Sequence, residues 1–496
     1  MARFKYKSFC WSIGTTSFRT GDFNYKIERQ LSLLYDFWDK LGNDVRPWKN
    51  VQKDYYNFLK ESKFVIGDAR NPEKDAREKT SGLVDIGLID KDRKITSVGR
   101  ALLGISRSGV FNSDNALQIP AVSFVFLKQL LKTTCNVSGN SFRPLLIFAY
   151  FLLQLGHLTN DEFTYLLPLC TTVDNTSSMV EAIRSLRNGE GSIDEIILSR
   201  LLSMDKYREA LDYFLNNTVN EKIITKIGMN RKSSGTGEMV YDKPYYHFYK
   251  ILFKVAIDHD VNEISSLYNS TGKLSVVVKQ LWRKYLFKSL KPNDIKRKSW
   301  AVLNDVPILR AGSDENFKRL FFSQLHLFKA KATLYDYADL NRRYFKTTDT
   351  VIFNDSKVEF DVLPRCWLYS VKDRLMDIAF TVSDNLTDNT SIYEIAPFLD
   401  IVVNNLYANL NEIYGINATI LEEVNRAIID RAAGVERPAA RPLPPAGRRR
   451  GRDDIRPATR KGTSNYGDTG NSRQGRKAGR PACRAGERGR GLFRRG

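Results

Sequence analysis

Apolar residues recur at helical spacing through most of the chain, interrupted at a few places by short alternating runs that predict strands. Ile27, Leu31, Leu34 and Trp38 stand at i, i+4, i+7 and i+11, one face of a helix with Asp22 or Asn24 available as its cap. Asn71 predicts a second cap, because Pro72 follows at a first helical position where no amide hydrogen is needed. Ala76, Thr80 and Leu83 then face inward, and Lys74, Arg77, Glu78 and Ser81 face outward. Next, Leu88-Ile89-Asp90, a Lys91-Asp92 turn and Lys94-Ile95-Thr96 predict a two-stranded hairpin, after which Ser97 is expected to cap a new helix. Helix, hairpin and helix in that order outline a winged helix, with a polar helix left over for the major groove of DNA.

The outline recurs. Phe142 to Leu155 predict a strongly apolar helix ended by Gly156. Thr159 with Glu162 three residues on forms a capping box that restarts a helix toward Leu169, and a third helix from Ser177 to Leu186 completes a helix-turn-helix pattern. Further on, a helix through Tyr335 to Tyr344 precedes two strands, Thr350 to Phe353 and Lys357 to Val362, around an Asn354-Asp355-Ser356 turn. The expected fold class is therefore mainly α with short β-hairpins: tandem winged-helix/helix-turn-helix DNA-binding domains, a helical linker region and a disordered C-terminal tail. The expected units are 1–115 (winged-helix recognition), 116–225 (helix-turn-helix recognition), 226–436 (helical, with a third helix-plus-wing unit) and 437–496 (tail). Helical domains carrying incidental hairpins are the alternative reading of each unit.

Composition changes the picture at Arg437. From there to Gly496 the chain holds 18 Lys and Arg against 4 Asp and Glu, so the tail carries +14 of the net +21 and the body only +7. With 11 Gly and 6 Pro among its 60 residues, the tail offers too little apolar surface to offset chain entropy, which predicts disorder. Arg-Gly sequence such as Arg484 to Arg490 would bind polyanions in a salt-sensitive way. The abrupt change of composition fits an accidental translation product better.

Other classes are excluded or disfavoured. The longest apolar run, around Leu145 to Leu155, is shorter than the ~20 residues a membrane helix needs, and nothing like a signal peptide precedes Phe4. Cytoplasm is the expected location. Cys10, Cys135, Cys170, Cys366 and Cys483 are scattered singly, with only four His, so buried reduced thiols are expected and neither a zinc site nor a disulfide frame.

The opening KYKSFCWSIGTTSFRTGDFNYKIERQLSLLYDFW (Lys5 to Trp38) resembles the N-terminal signature of the AlwI family of type IIS restriction endonucleases. In the same order follow KITSVGRALL (Lys94 to Leu103), FLKQLL (Phe126 to Leu131), GMNRKSSGTG (Gly228 to Gly237), YDKPYYHFYK (Tyr241 to Lys250) and GVERPA (Gly434 to Ala439). The resemblance implies N-terminal winged-helix recognition domains, a helical linker and a C-terminal PD-(D/E)xK nuclease domain. It also implies a bacterial or archaeal cell, double-stranded DNA as substrate, Mg2+ as cofactor of the intact enzyme and a protecting DNA methyltransferase as genetic partner.

Such a nuclease needs two or three carboxylates on adjacent strands to hold magnesium, which activates water and stabilises the leaving oxygen. The resemblance places that domain just after GVERPA. Here Ala440 is followed by RPLPPAGRRRGRDDIRPATRKG, with no strand pattern and no carboxylates paired on strands. The expectation is that a frameshift or truncation replaced the nuclease domain, so that this chain binds no Mg2+ and has no catalytic residues. The acidic-x-Lys triplets of the body (Glu61-Ser62-Lys63, Asp92-Arg93-Lys94, Asp294-Ile295-Lys296, Asp355-Ser356-Lys357) arise by chance in a chain that is 27% charged. Two of them fall on expected hairpin turns and Glu61 on an expected helix.

DNA binding remains. Base contacts are expected from Arg70, Lys74, Arg77 and Lys79 around the first recognition helix, and backbone contacts from Arg19, Lys26 and Arg29 in the opening block. Arg231 and Lys232 lie in a basic loop, Arg231 to Gly237, that lacks the GxxxxGK[ST] phosphate-loop spacing and suits a DNA backbone or plain solvent. The run Trp282 to Lys298 tracks phosphates or forms the wet side of an amphipathic helix. Three functions follow: a type IIS endonuclease by descent, the same protein as a catalytically silent reader of DNA, or a non-catalytic winged-helix DNA- or RNA-binding regulator using the basic tail.

Overall fold

A long helix organises the molecule. The computed structural model describes residues 4–14, 23–42, 46–109, 117–228, 243–288, 306–369 and 371–382. In chain order the helices and strands are α1 (Phe23–Leu41), α2 (Trp48–Glu61), α3 (Pro72–Asp85), α4 (Ser97–Ser108), α5 (Ala121–Lys132), β1 (Cys135–Val137), β2 (Asn140–Phe142) and α6 (Pro144–Leu155). There follow β3 (Leu158–Thr159), α7 (Asn160–Tyr165), α8 (Val173–Arg187), α9 (Ile193–Leu202), α10 (Asp205–Leu215), α11 (Glu221–Ile227), α12 (Lys243–Ala256), α13 (Ile264–Ser270) and α14 (Val276–Phe287). The last are α15 (Asp314–Lys346), β4 (Val351–Phe353), β5 (Lys357–Phe360), α16 (Val362–Tyr369) and α17 (Leu375–Phe380). The described part is mainly helical, as the periodicity predicts.

α15 has 33 residues, about 50 Å at 1.5 Å per residue, and starts where the Ser313 hydroxyl accepts from the Asn316 amide at 3.2 Å. It packs against α7, α9, α10, α12 and α14. The sequence reading finds only its last third, Tyr335 to Tyr344. The reason is burial around much of its circumference: Phe317, Phe321, Phe322, Leu325, Phe328 and Leu334 are buried together with Lys318, His326, Lys329 and Asn341, which blurs the single apolar stripe that marks a surface helix.

The opening segment 4–14 threads into this core. The Trp11 amide donates to Pro168 O at 3.0 Å, its indole Nε1 to Cys170 O at 2.9 Å, and the Ile13 amide to Asn341 Oδ1 at 2.9 Å. Tyr6 Oη donates to Ile227 O at 2.6 Å. His326 Nε2 lies 3.0 Å from that same carbonyl, and burial drives the imidazole down to a pKa of about 3, leaving it neutral.

The short strands join distant parts of the chain. β1 and β2 pair from Cys135↔Phe142 to Val137↔Asn140 around Ser138 and Gly139, both at positive φ (56° and 94°), the geometry of a two-residue hairpin loop. β3 pairs with β5 (Leu158↔Val358) and β5 with β4 (Val351↔Phe360), so elements on either side of residue 225 share one three-stranded sheet. No helix among the described residues is long and apolar enough to cross a membrane.

Several local expectations need correction. Phe142 belongs to β2, and the apolar helix begins at Pro144. The helix over Ser177 to Leu186 begins earlier, at Val173, with Thr172 as cap. α4 is capped by Thr96, not Ser97: Thr96 Oγ1 accepts from the Gly99 amide at 3.1 Å and lies 2.9 Å from Gly87 O, so one side chain both closes the hairpin and starts the helix. The hairpin itself is reduced to one bridge, Ile89↔Ile95. Asp22, offered as a cap of α1, lies outside the described residues, and Asn24 is inside the helix rather than before it.

Candidate nucleic-acid interface

α3 is the polar helix that the sequence offers to DNA, and its local structure follows the reading closely. Asn71 Oδ1 accepts from the Lys74 amide at 2.9 Å and Pro72 occupies the first turn. Ala76, Thr80 and Leu83 are completely buried, while Lys74 and Arg77 are exposed on the opposite side. A helix is about 10–12 Å across with its side chains, which matches a major groove about 12 Å wide.

The approach to α3 is held in place. Tyr56 Oη accepts from the Ala69 amide at 2.6 Å and donates to Gly67 O at 3.3 Å. The Phe64 amide donates to Leu59 O at 2.9 Å. Arg70 ends this loop, exposed. The hairpin after α3 is braced by Arg93, whose Nε donates to Thr80 Oγ1 at 3.1 Å and whose Nη1 donates to Lys91 O at 2.7 Å. Trp38 Nε1 donates to Arg93 O at 2.8 Å, and Lys94 Nζ sits 3.2 Å from the centre of the Trp38 ring. α3 is thus presented between two pinned loops.

The nine predicted contact residues separate into three groups. Arg70, Lys74 and Arg77 lie together on and just before the exposed side of α3, with Lys79 half-buried behind them. Lys74 pairs with Glu78 at 3.4 Å, and the guanidinium of Arg77 has no hydrogen-bond or ion-pair partner among the described residues. Lys26 and Arg29 are half-buried on α1. Arg29 is a tie: its Nη2 donates to Ser62 O at 3.1 Å and its guanidinium lies 6.0 Å from the Phe64 ring centre. Arg19, Arg231 and Lys232 lie outside the described residues.

Charge on this helix is balanced. Lys74, Arg77 and Lys79 are matched by Glu73, Asp75 and Glu78 on the same helix, whose buried end carries a fourth acid, Asp85. Such a surface offers phosphate no surplus of positive charge. Behind it, the Oδ2 of Asp85 is sealed from solvent with no hydrogen-bond partner among the described residues. Burial raises the Asp85 carboxyl from 3.8 to about 6, against the opposing pull of Arg93. Neither this carboxyl nor the Arg93 brace is visible in the helical periodicity, because both arise where the end of α3 meets the hairpin.

The acidic-x-Lys triplets do not assemble a nuclease centre among the described residues. Glu61 ends α2, while Asp92 and Asp355 sit on turns; Asp294 lies outside the described residues. No group of three or more His, Cys, Asp or Glu side chains among the described residues is placed to hold a metal ion. The residues present there do not fit the magnesium of a PD-(D/E)xK site, and residues 383–496, which include the stretch where the resemblance puts that site, lie outside the described residues. Cys10, Cys170 and Cys366 are buried free thiols and Cys135 a half-buried one; Cys483 falls in the undescribed part.

For the run Trp282 to Lys298, the described portion, 282–288, ends an amphipathic helix on which Lys284 is exposed. Trp282, Leu286 and Phe287 are buried on α14, and Arg283 is occupied, with Nε donating to Thr271 Oγ1 at 2.7 Å and its guanidinium 4.0 Å from the Tyr268 ring centre.

Comparison with known proteins gives one family. The sequence model of the AlwI restriction endonuclease family matches residues 84–431, well over half of the chain. The match contains the blocks at 94–103, 126–131, 228–237 and 241–250, whereas the opening block and GVERPA fall outside it. It stops shortly before the change of composition at Arg437. No curated protein matches the chain.

Proposed function

The chain belongs to the AlwI restriction endonuclease family, and from that premise we propose that it is a type IIS enzyme by descent that reads a short asymmetric DNA site and no longer cuts beside it. By family it is a nuclease and its substrate is DNA. The observation that carries the finer reading is where the family match ends. It reaches residue 431, and the Arg, Gly, Pro and Ala sequence begins at Arg437, where the nuclease domain of an intact enzyme is expected.

In this reading α3 is the recognition helix of a winged-helix unit. Arg77 and Lys74 hydrogen-bond base edges, Arg70 sits at the helix entrance, and the Arg93-braced hairpin is the wing. Bidentate Arg contacts to guanine discriminate by about 1–3 kcal/mol each. In an intact relative, Mg2+ would activate the attacking water, and a methyltransferase would protect the host's own sites. This chain would occupy its site without hydrolysing it.

A plasmid incubated with the purified chain and Mg2+ tests the loss of cutting. The expected result is retarded mobility before deproteinisation and intact supercoiled plasmid after it. Discrete nicked or linear products would overturn the recognition-only reading.

A further inference from the structure

We propose that an open groove between α12 and α13 is a second contact surface for the phosphate backbone of duplex DNA, separate from α3. This rests on the DNA-reading function proposed above and supplies what α3 lacks, a surplus of positive charge. The groove has a volume of about 500 Å³ and is lined by His247, Lys250, Lys254 and Lys273, with Ser266 and Asn269 among its neutral polar residues. Its one acidic residue is Glu263, and that carboxylate already pairs with Lys254 at 3.2 Å.

The sequence builds the groove from helical spacing. His247, Lys250 and Lys254 stand at i, i+3 and i+7 on α12, so they share one exposed side, while Phe248, Leu252 and Val255 on the other side are buried. Lys273 approaches from the turn after α13. Lys250 Nζ lies 4.9 Å from the Tyr246 ring centre, a contact that steadies the ammonium without neutralising it. No carboxylate among the described residues pairs with Lys250 or Lys273.

Several exposed cations on other helices are paired with carboxylates of their own helix. Arg184 pairs with Glu181, Lys206 with Glu209 at 2.7 Å and Arg319 with Glu315 at 2.8 Å. A concave surface with uncompensated ammonium groups and hydroxyl and amide donors beside them suits phosphate oxygens, which take both charge and hydrogen bonds. It also accounts for part of the YDKPYYHFYK block (Tyr241 to Lys250), whose polar members His247 and Lys250 have no role in the core.

The test is the salt dependence of duplex binding by the full chain, read by fluorescence anisotropy on a labelled duplex between about 50 and 200 mM salt. The double variant Lys250→Gln/Lys273→Gln should flatten the slope of log K against log salt by about 1.8, at roughly 0.9 per lost phosphate contact. The change should be equal on preferred and random sequence, and Lys250→Arg/Lys273→Arg should keep the wild-type slope. If the wild type binds DNA and the Gln variant keeps its slope, the groove proposal falls while the α3 reading stands. If inorganic phosphate raises the melting temperature of the wild type but not of the Gln variant, with the DNA slope unchanged, the groove is a small-anion site and the proposal is overturned. If the wild type binds no duplex, the DNA reading itself fails and takes the groove with it.

Discussion

Arg77 and Arg93 lie close together at the first unit, carry the same side chain and should behave oppositely on replacement. Arg77 is exposed with no partner for its guanidinium among the described residues, so Arg77→Ala should shift folding stability by no more than about 0.5 kcal/mol. If it reads a base, the same change should weaken binding to the preferred site by about 1–3 kcal/mol, roughly 5- to 150-fold, and relax preference at one position. Arg93 donates to Thr80 and Lys91 and balances the buried Asp85. Arg93→Ala should therefore lower stability by roughly 2–3 kcal/mol, with any loss of binding following from the loosened hairpin. Denaturant unfolding gives the first quantity and anisotropy on preferred and random duplexes the second. The reasoning is refuted if Arg77→Ala leaves both affinity and site preference unchanged, or if Arg93→Ala is neutral for folding.

Two further predictions concern buried carboxyls. Burial pushes Glu162 up, but the Arg187 guanidinium, at 2.9 and 2.8 Å, and the Thr159 amide, at 2.7 Å, outweigh it and hold the carboxyl below its ordinary range. Arg187→Ala leaves that charge uncompensated and should lower stability by about 3–5 kcal/mol in denaturant unfolding; a loss below about 1 kcal/mol would contradict the pairing. Asp85 behaves in the other direction: its pKa is raised in the folded state, so protonation favours folding, and stability should fall as pH rises from 3.8 to about 6. Asp85→Asn should then raise the melting temperature at pH 8, by an amount corresponding to at most roughly 2–3 kcal/mol, and change it little at pH 4; an equal effect at both would show that the carboxyl carries no such penalty.

Local chemistry was the legible part of this fold. The Asn71-Pro72 start of α3 and the Thr159/Glu162 capping box each depend on residues within four positions, and both stand as the sequence reads them. Ser97 was a reasonable cap by type, but Thr96 also reaches the Gly87 carbonyl across the hairpin, a contact that no linear pattern displays. The pairing of β3 with β5 spans about two hundred residues, and β3, only two residues long, carries almost no periodicity of its own. The opening block is expected to supply DNA-backbone contacts from Arg19, Lys26 and Arg29, yet its Trp11 and Ile13 are buried against distant backbone and Asn341. The groove between α12 and α13 escaped for a related reason: His247 and Lys273 belong to different elements, and only their packing brings the charges together.

The central claim is that this chain still selects a DNA sequence. It is tested most directly by incubating the purified protein with duplexes carrying randomised sites in the presence of Mg2+, then sequencing bound and cleaved molecules separately. The account predicts one short asymmetric motif enriched among bound molecules and no cleavage at a fixed distance from it. Bound molecules without any shared motif would contradict it.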